Sequence, residues 1–333
     1  MRVLVAEYAT ACGLSPPLLY EGFAMLCVLS RGFAKSGCTV SYLTHAWQCS
    51  WGTPIPCDQS NFEQKLRMQC SDVDAAIVIA PDELLYPLTK TVEKECINLG
   101  CPSECVKVCA DKLEVFECMR GEIPTCELWD GEGAWVSKPR FGCASENVVM
   151  GWEDTDVAGD KWKYIKGESV SMGVVGSSRA VLTLPLTLQK MHYSCNGVHL
   201  SHIEDALLYA AGGDVVSIDY EGNVVPHPSP MEEEVARTVH RAYELLGCEG
   251  YVGMDVVLSD EPYIVDVNPR PTTSILGLDV VCSPSVGRLL LQARLPEKFG
   301  KLPKRVETMG NMAFSKEELP SLLREWTTSK QKI

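Results

Sequence analysis

The stretch Gly250–Pro271, GYVGMDVVLSDEPYIVDVNPRP, decides how the rest of the chain is read. Residues 251–258 alternate, with Val252, Met254, Val256 and Leu258 apolar on one face. The SDEP that follows has turn composition, so the pattern predicts a β-hairpin. Pairing Leu258 with Tyr263 sets a register that puts Val256 opposite Val265, Met254 opposite Val267 and Asp255 directly opposite Asp266. Asn268 then falls two residues further along the acidic face. Two carboxylates about 5 Å apart at an effective dielectric of about 20 repel by about 3 kcal/mol, which a cation between them would relieve. Oxygen donors without His or Cys suit a hard ion such as Mg²⁺ or Mn²⁺. A solvated acidic face on an ordinary hairpin is the other reading of the same pattern.

The 333 residues, 46% hydrophobic and 22% charged, have the composition of a folded protein long enough for two or three compact units. A net charge of −14 and the lack of a basic run argue against nucleic acid, leaving room for a local basic pocket around one small phosphate compound. No stretch approaches the roughly 18 apolar residues of a membrane span, and MRVLVAEY reads as a strand from the first residue, so no membrane partner and a cytoplasmic location are expected. Oligomeric state is left open. The 16 Cys are scattered through a long chain and read as free thiols. Cys101, Cys105 and Cys109, spaced by four, form a helical stripe of small packing residues. A thiolate site would require a fourth ligand and a more usual spacing.

A βαβ rhythm opens the chain: strand 2–7, helix Leu18–Lys35, strand 38–44, helix 60–70, strand 75–81 and helix 84–95. It predicts a parallel α/β domain over 1–98, with loops Glu7–Leu14 and Ala80–Glu83 at strand carboxyl ends lining a crevice. A helix from Ser103 through Lys112 to about Arg120, followed by the strand in AWVSKPRFGCAS, forms a small central lobe over 99–159. A sheet-rich lobe over 160–300 carries the hairpin and helices 231–246 and 284–295. Residues 301–333 read as a polar tail that packs late or stays mobile. The fold class is therefore α/β combined with α+β.

Lys138 ends a strand before PRFGCAS, whose small residues would let backbone N–H groups approach a phosphate. GxxxxGK[ST] is absent, as is GxGxxG after the first strand, which weighs against a P-loop kinase and a dinucleotide-binding dehydrogenase. Lys112 lies in CADKLEV, and KYIKGESV is a strand leading to Glu168. Taken singly, each of these residues also reads as an ordinary surface group. Their order is more telling: helix lysine, lysine before a small-residue loop, strand with GES, then two acids and Asn268.

In this order the sequence resembles the ATP-grasp superfamily. The likeness is carried by VAEYATACG, IAPDELLYPLTKTVEK, NLGCPSECVKVCADK, IKGESVSM, GYVGMDVV and VDVNPRPTTSILGL, and within the superfamily it is to the archaeal ligases of methanofuran biosynthesis that join tyramine to L-glutamate. It implies an ATP-grasp fold with an N-terminal parallel domain and two ATP-gripping lobes, and a carboxylate–amine ligase working through an acyl phosphate. It further implies that Lys112, Lys138 and Gly142 meet the ATP phosphates, Lys163 and Ile165 line the adenine site and Glu168 meets the ribose. Asp255, Asp266 and Asn268 would hold Mg²⁺ or Mn²⁺, and Arg270 with Lys138 would act on the transferred phosphoryl group. Glu7, Tyr8, Glu21, Gly213, Thr272 and Thr273 are nominated for glutamate and an aromatic amine such as tyramine. Three features depart from the superfamily pattern: the loop GCAS has few glycines, Lys163 stands where an acid is usual, and 194–211 reads as an insertion. A ligase for another amino acid and amine, or a nucleotide-binding protein without turnover, are the competing readings.

Overall fold

The computed structural model describes residues 1–142 and 147–327. Its N-terminal domain is built from β1 (Arg2–Glu7), α1 (Tyr8–Cys12), α2 (Leu18–Lys35), β2 (Thr39–Thr44), β3 (Thr53–Pro56), α3 (Phe62–Ser71), β4 (Ala75–Ile79), α4 (Asp82–Glu95) and β5 (Ile97–Asn98). All its strand pairs are parallel, in the order β3-β2-β1-β4-β5. β1 and β4 are buried throughout except at Arg2, which explains their nearly continuous apolar runs. The chain leaves β1 toward one side and returns on the other, so the carboxyl ends of β1 and β4 diverge at a topological switch point and open a crevice. The expected loop after Glu7 is instead the short helix α1, capped by the Glu7 side chain.

The single helix expected from Ser103 to Arg120 is two: α5 (Ser103–Cys109) and α6 (Lys112–Met119). Asp111 breaks it. Its carboxylate accepts from Leu113 N (3.1 Å) and Glu114 N (3.4 Å), the N-cap bonds that begin a helix. Cys101 lies ahead of α5, so only two of the three spaced cysteines are on a helix.

The remaining strands form a curled, mainly antiparallel sheet: β6 (Trp135–Lys138), β7 (Val149–Gly151), β8 (Asp160–Lys163), β9 (Glu168–Ser177), β10 (Ala180–Thr183), β11 (Thr187–Cys195), β12 (Val198–Leu200), β13 (Val216–Val225), β14 (Gly250–Leu258) and β15 (Pro262–Asn268). Its backbone order is β15-β14-β9-β11-β13-β7-β6-β8, so β8 is hydrogen-bonded to β6 of the central lobe. Helices α7 (Ile203–Ala211) and α8 (Glu232–Leu245) cover it. α9 (Ile275–Val281), α10 (Val286–Arg294) and α11 (Pro296–Phe299) follow, with the strand pair β16 (Cys282–Ser283) and β17 (Glu307–Thr308). The backbones of α2 and α10 touch where Gly32 meets Gly287; a Cβ on Gly32 would lie 2.9 Å from the Gly287 Cα. That contact joins the N-terminal domain to the sheet-rich lobe through one shared core.

After residue 300 the chain is mostly exposed to about residue 311 and then packs, the late packing that was one of the two expectations for the tail. β18 (Met312–Ser315) adds to β13, and α12 (Leu319–Leu323) buries Leu319 and Leu323. The Trp326 ring lies 5.1 Å from the Arg31 guanidinium, which also sits over Trp51 and pairs with Asp279. The apolar anchors are few and spaced among charges, which is why the composition reads as a tail.

Candidate active site

Two cavities meet inside the molecule. The first lies between the central lobe and the large sheet, with apolar walls that include Val136, Trp162, Tyr164, Ile165, Met191 and Tyr193. Its polar end holds Lys112, Lys138 and Gly142. Lys112 is the first residue of α6, and its Nζ donates to Gly142 O (3.0 Å) and lies 3.8 Å from Asp266 Oδ1. Arg140 grips Asp111 through two bonds of 2.8 and 2.7 Å, tying the chain before the phosphate-loop candidate to the cap that positions Lys112.

Lys138 Nζ donates to Val265 O (2.9 Å), and this contact depends on a register shift. β14 and β15 pair Gly253 with Asn268, Met254 with Val267 and Asp255 with Asp266, as the alternation predicts. Beyond the shift, Val256 faces Ile264, Val257 faces Tyr263 and Leu258 faces Pro262. The expected pairs Leu258–Tyr263 and Val256–Val265 are therefore displaced by one. Val265 is the extra residue of a β-bulge. Alternation cannot reveal a bulge located between two correctly patterned halves.

The second cavity occupies the switch point. Glu7, Glu21, Asn268, Arg270, Thr272 and Thr273 line it, together with the apolar Leu14, Leu18, Met25 and Ile79. Glu7 is buried, accepting from Ala9 N (2.9 Å) and Thr10 N (2.7 Å), and burial pushes its carboxyl pKa up. Only glycine fits beside it at position 22, since a Cβ there would lie 2.3 Å from Glu7 Oε2. Thr273 Oγ1 donates to Glu21 Oε2 (2.6 Å), and Lys316 Nζ, from the carboxyl-terminal segment, lies 3.0 Å from Glu21 Oε1. Arg270 Nε is 3.5 Å from the buried Asp82 Oδ1.

Asp255, Asp266, Gln189 and Tyr220 line both cavities. The two acids face each other across the hairpin, and Gln189 Nε2 donates to Asp255 Oδ1 (2.9 Å). Removal from water, followed by the Asp266 charge, pushes the Asp255 pKa up to about 7, against the pull of Lys138, Gln189 and Arg270. Two facing carboxylates with an amide two residues on, one of them reluctant to ionise alone, match what a hard divalent cation requires.

Not every nominated residue reaches these cavities. Glu168 shares its strand face with Val170 and Met172, which pack toward α8, and its Oε2 lies 2.8 Å from His227 Nε2; Ser169 and Ser171 point to the cavities instead. Tyr8 turns away to pack against Phe62, with ring centroids 5.1 Å apart. Gly213 follows α7 near Glu153 and lines neither cavity. Lys163 lines the first, although its ammonium is held by Asp130 (2.8 Å) and Glu127 (3.2 Å). Of the small-residue loop, 143–146 lie outside the described residues. Sequence reasoning missed Tyr220 and Lys316, and named Asp82 only as part of the crevice loop Ala80–Glu83. Tyr220 sits in an unremarkable strand, and Lys316 comes from the supposed tail.

This architecture recurs in known proteins. A pre-ATP-grasp domain family model matches residues 42–106 and an ATP-grasp domain model matches 109–274. A tyramine–L-glutamate ligase of Methanocaldococcus jannaschii is 25% identical over 309 residues, covering 87% of this chain and 88% of its own. One from Methanocaldococcus fervens is 27% identical over 246 residues, 71% and 72% of the two chains. The solved structure of an ATP-grasp superfamily protein from Archaeoglobus fulgidus superposes with a TM-score of 0.69 at 26% identity, covering 95% of this chain and 98% of that one. The chain belongs to the ATP-grasp superfamily, and within it to the carboxylate–amine ligases, enzymes that form a carbon–nitrogen bond.

Proposed function

We propose that the protein joins the side-chain carboxylate of L-glutamate to the amine of tyramine or a close aromatic amine, with ATP converted to ADP and phosphate. The observation that carries this reading is the wall common to the two cavities, formed by Asp255 and Asp266 with Gln189 and Tyr220. ATP fits the first cavity, with its base among Trp162, Tyr164, Ile165 and Met191 and its phosphates toward Lys112 and Lys138. The second cavity offers cationic, hydroxyl and carboxylate groups for an amino acid beside an apolar patch of Leu14, Leu18, Met25 and Ile79 for an aromatic ring.

In the first step a glutamate carboxylate oxygen bonds to the γ-phosphorus as the bond to the ADP oxygen breaks, giving an acyl phosphate. The free amine then attacks the acyl carbon, phosphate leaves and the amine's proton is released. Lys112, Lys138 and Arg270 would offset the charge on the moving phosphoryl group, and Glu7 and Glu21 would hold an ammonium group. Mg²⁺ or Mn²⁺ held by Asp255, Asp266 and Asn268 would supply further positive charge to that group. Enclosure between the lobes limits hydrolysis of the acyl phosphate.

The test is ADP release from ATP and Mg²⁺ across a panel of amino acids and amines. The proposal expects turnover that needs glutamate and tyramine together. Product only from another pair would reassign the substrates, and nucleotide binding without ADP for any pair would point to the non-catalytic reading.

A further inference from the structure

Three cysteines from two distant parts of the chain converge on one buried point, with a fourth against one of them. Cys101 precedes α5, Cys105 and Cys109 lie one turn apart on it, and Cys248 comes from the turn between α8 and β14, 143 residues beyond Cys105. All four are buried. The Cys105 sulfur lies 3.9 Å from that of Cys101, 3.8 Å from that of Cys109 and 3.2 Å from that of Cys248. The sulfurs of Cys101, Cys105 and Cys248 lie within 4.8 Å of one another, while that of Cys109 stands against Cys105 at the edge of this group. A disulfide would hold its sulfurs about 2.05 Å apart, so these are separate thiols. A tetrahedral zinc ion, with bonds of about 2.3 Å, separates neighbouring thiolate sulfurs by about 3.8 Å, close to the spacing around Cys105. A multi-iron cluster carries its cysteines outside an inorganic core, for which sulfurs this close leave no room.

We propose that Cys101, Cys105, Cys109 and Cys248 form a structural thiolate site for one soft divalent ion of the zinc type. The triplet alone packs acceptably as small apolar side chains; the fourth sulfur, brought in by the tertiary fold, completes a ligand set that packing does not require. The site is chemically distinct from the acidic pair, whose oxygen donors select a hard ion. Its position gives it a task. Lys112 comes three residues after Cys109 and Asp255 seven residues after Cys248, so an ion here ties the segment leading to the phosphate lysine to the strand carrying an acid of the shared wall.

The full-length chain, purified anaerobically with its thiols reduced, is titrated with Co²⁺. One equivalent should produce thiolate-to-cobalt charge-transfer absorption with the intense visible bands of a tetrahedral sulfur site, and Zn²⁺ should abolish both. The carboxylate site cannot give that charge transfer. Cys248→Ser should lose the spectrum, while Cys118→Ser, at an exposed position, should keep it. If Cys248→Ser does not fold, the wild-type chain still decides, because bound Zn²⁺ should shield four thiols from a thiol reagent until a chelator removes it. A wild-type chain with reduced thiols and no charge-transfer band, four thiols reacting equally with and without Zn²⁺, or a Cys105–Cys248 disulfide in the anaerobic protein would each overturn the proposal.

Discussion

The chemistry assigned to this protein rests on two carboxylates that the backbone brings together at the cost of repulsion. Asp266→Asn keeps the shape of the hairpin but removes one charge from the proposed cation site, and we expect turnover to fall by about 10²–10³-fold or more with the thermal transition kept. Steady-state kinetics beside a melting curve checks both halves. Asp255 also predicts a pH dependence. Its pKa lies at about 7 in the metal-free native state, against an ordinary value of 3.8, so the native state holds a proton that the unfolded chain gives up. The contribution favours folding at pH below about 4 and is lost as pH rises toward about 7. Urea midpoints measured without divalent ions should show this component, and Asp255→Asn should remove it. Glu168 provides a contrasting case: facing α8 and bonded to His227, it should tolerate Glu168→Ala with KM for ATP changed by no more than about twofold, the range of an ordinary surface substitution. A tenfold rise would show that it reaches the ribose after all.

At the scale of elements, the hairpin was legible because strand alternation has a strict period of two, which fixes the faces of the strands; Asp255 stands opposite Asp266 because the bulge offsets the one-residue displacement of the turn pair. The bulge at Val265 was not legible, since its signature is one added residue between two well-patterned halves; yet it delivers the carbonyl that holds Lys138. The break between α5 and α6 follows the same logic, for Asp111 reads as a helix residue until its side chain is seen to cap the next turn. Asp111→Ala would remove that cap and the partner of Arg140. We expect a loss of about 1 kcal/mol or somewhat more in stability and a raised KM for ATP, with KM for the amino acid little changed. The carboxyl-terminal segment makes the converse prediction. Lys316 reaches Glu21 in the second cavity, so Lys316→Ala should raise KM for the amino acid or amine and leave ATP binding alone.

At the scale of the whole molecule, function arises where two independent architectural rules intersect. A parallel sheet opens a crevice at its switch point, and an antiparallel hairpin presents acids at the same place, so the second cavity is walled by both domains. The βαβ rhythm and the hairpin were each readable locally. Their meeting was not, because Glu7 and Glu21 come together with Thr273 and Lys316 only through the packing of α2 on α10 and the return of the final strand. Tyr8 and Gly213 were nominated from sequence neighbourhood alone, and the fold turns both away. The claim on which the account turns is that nucleotide and acceptor occupy different cavities separated by the paired acids. A crystal of the protein with Mn²⁺ and a non-hydrolysable ATP analogue tests it through the anomalous signal of manganese. The account predicts that signal beside Asp255, Asp266 and Asn268, with the base between Trp162 and Met191; manganese elsewhere, or nucleotide in the cavity of Glu7 and Arg270, would contradict it.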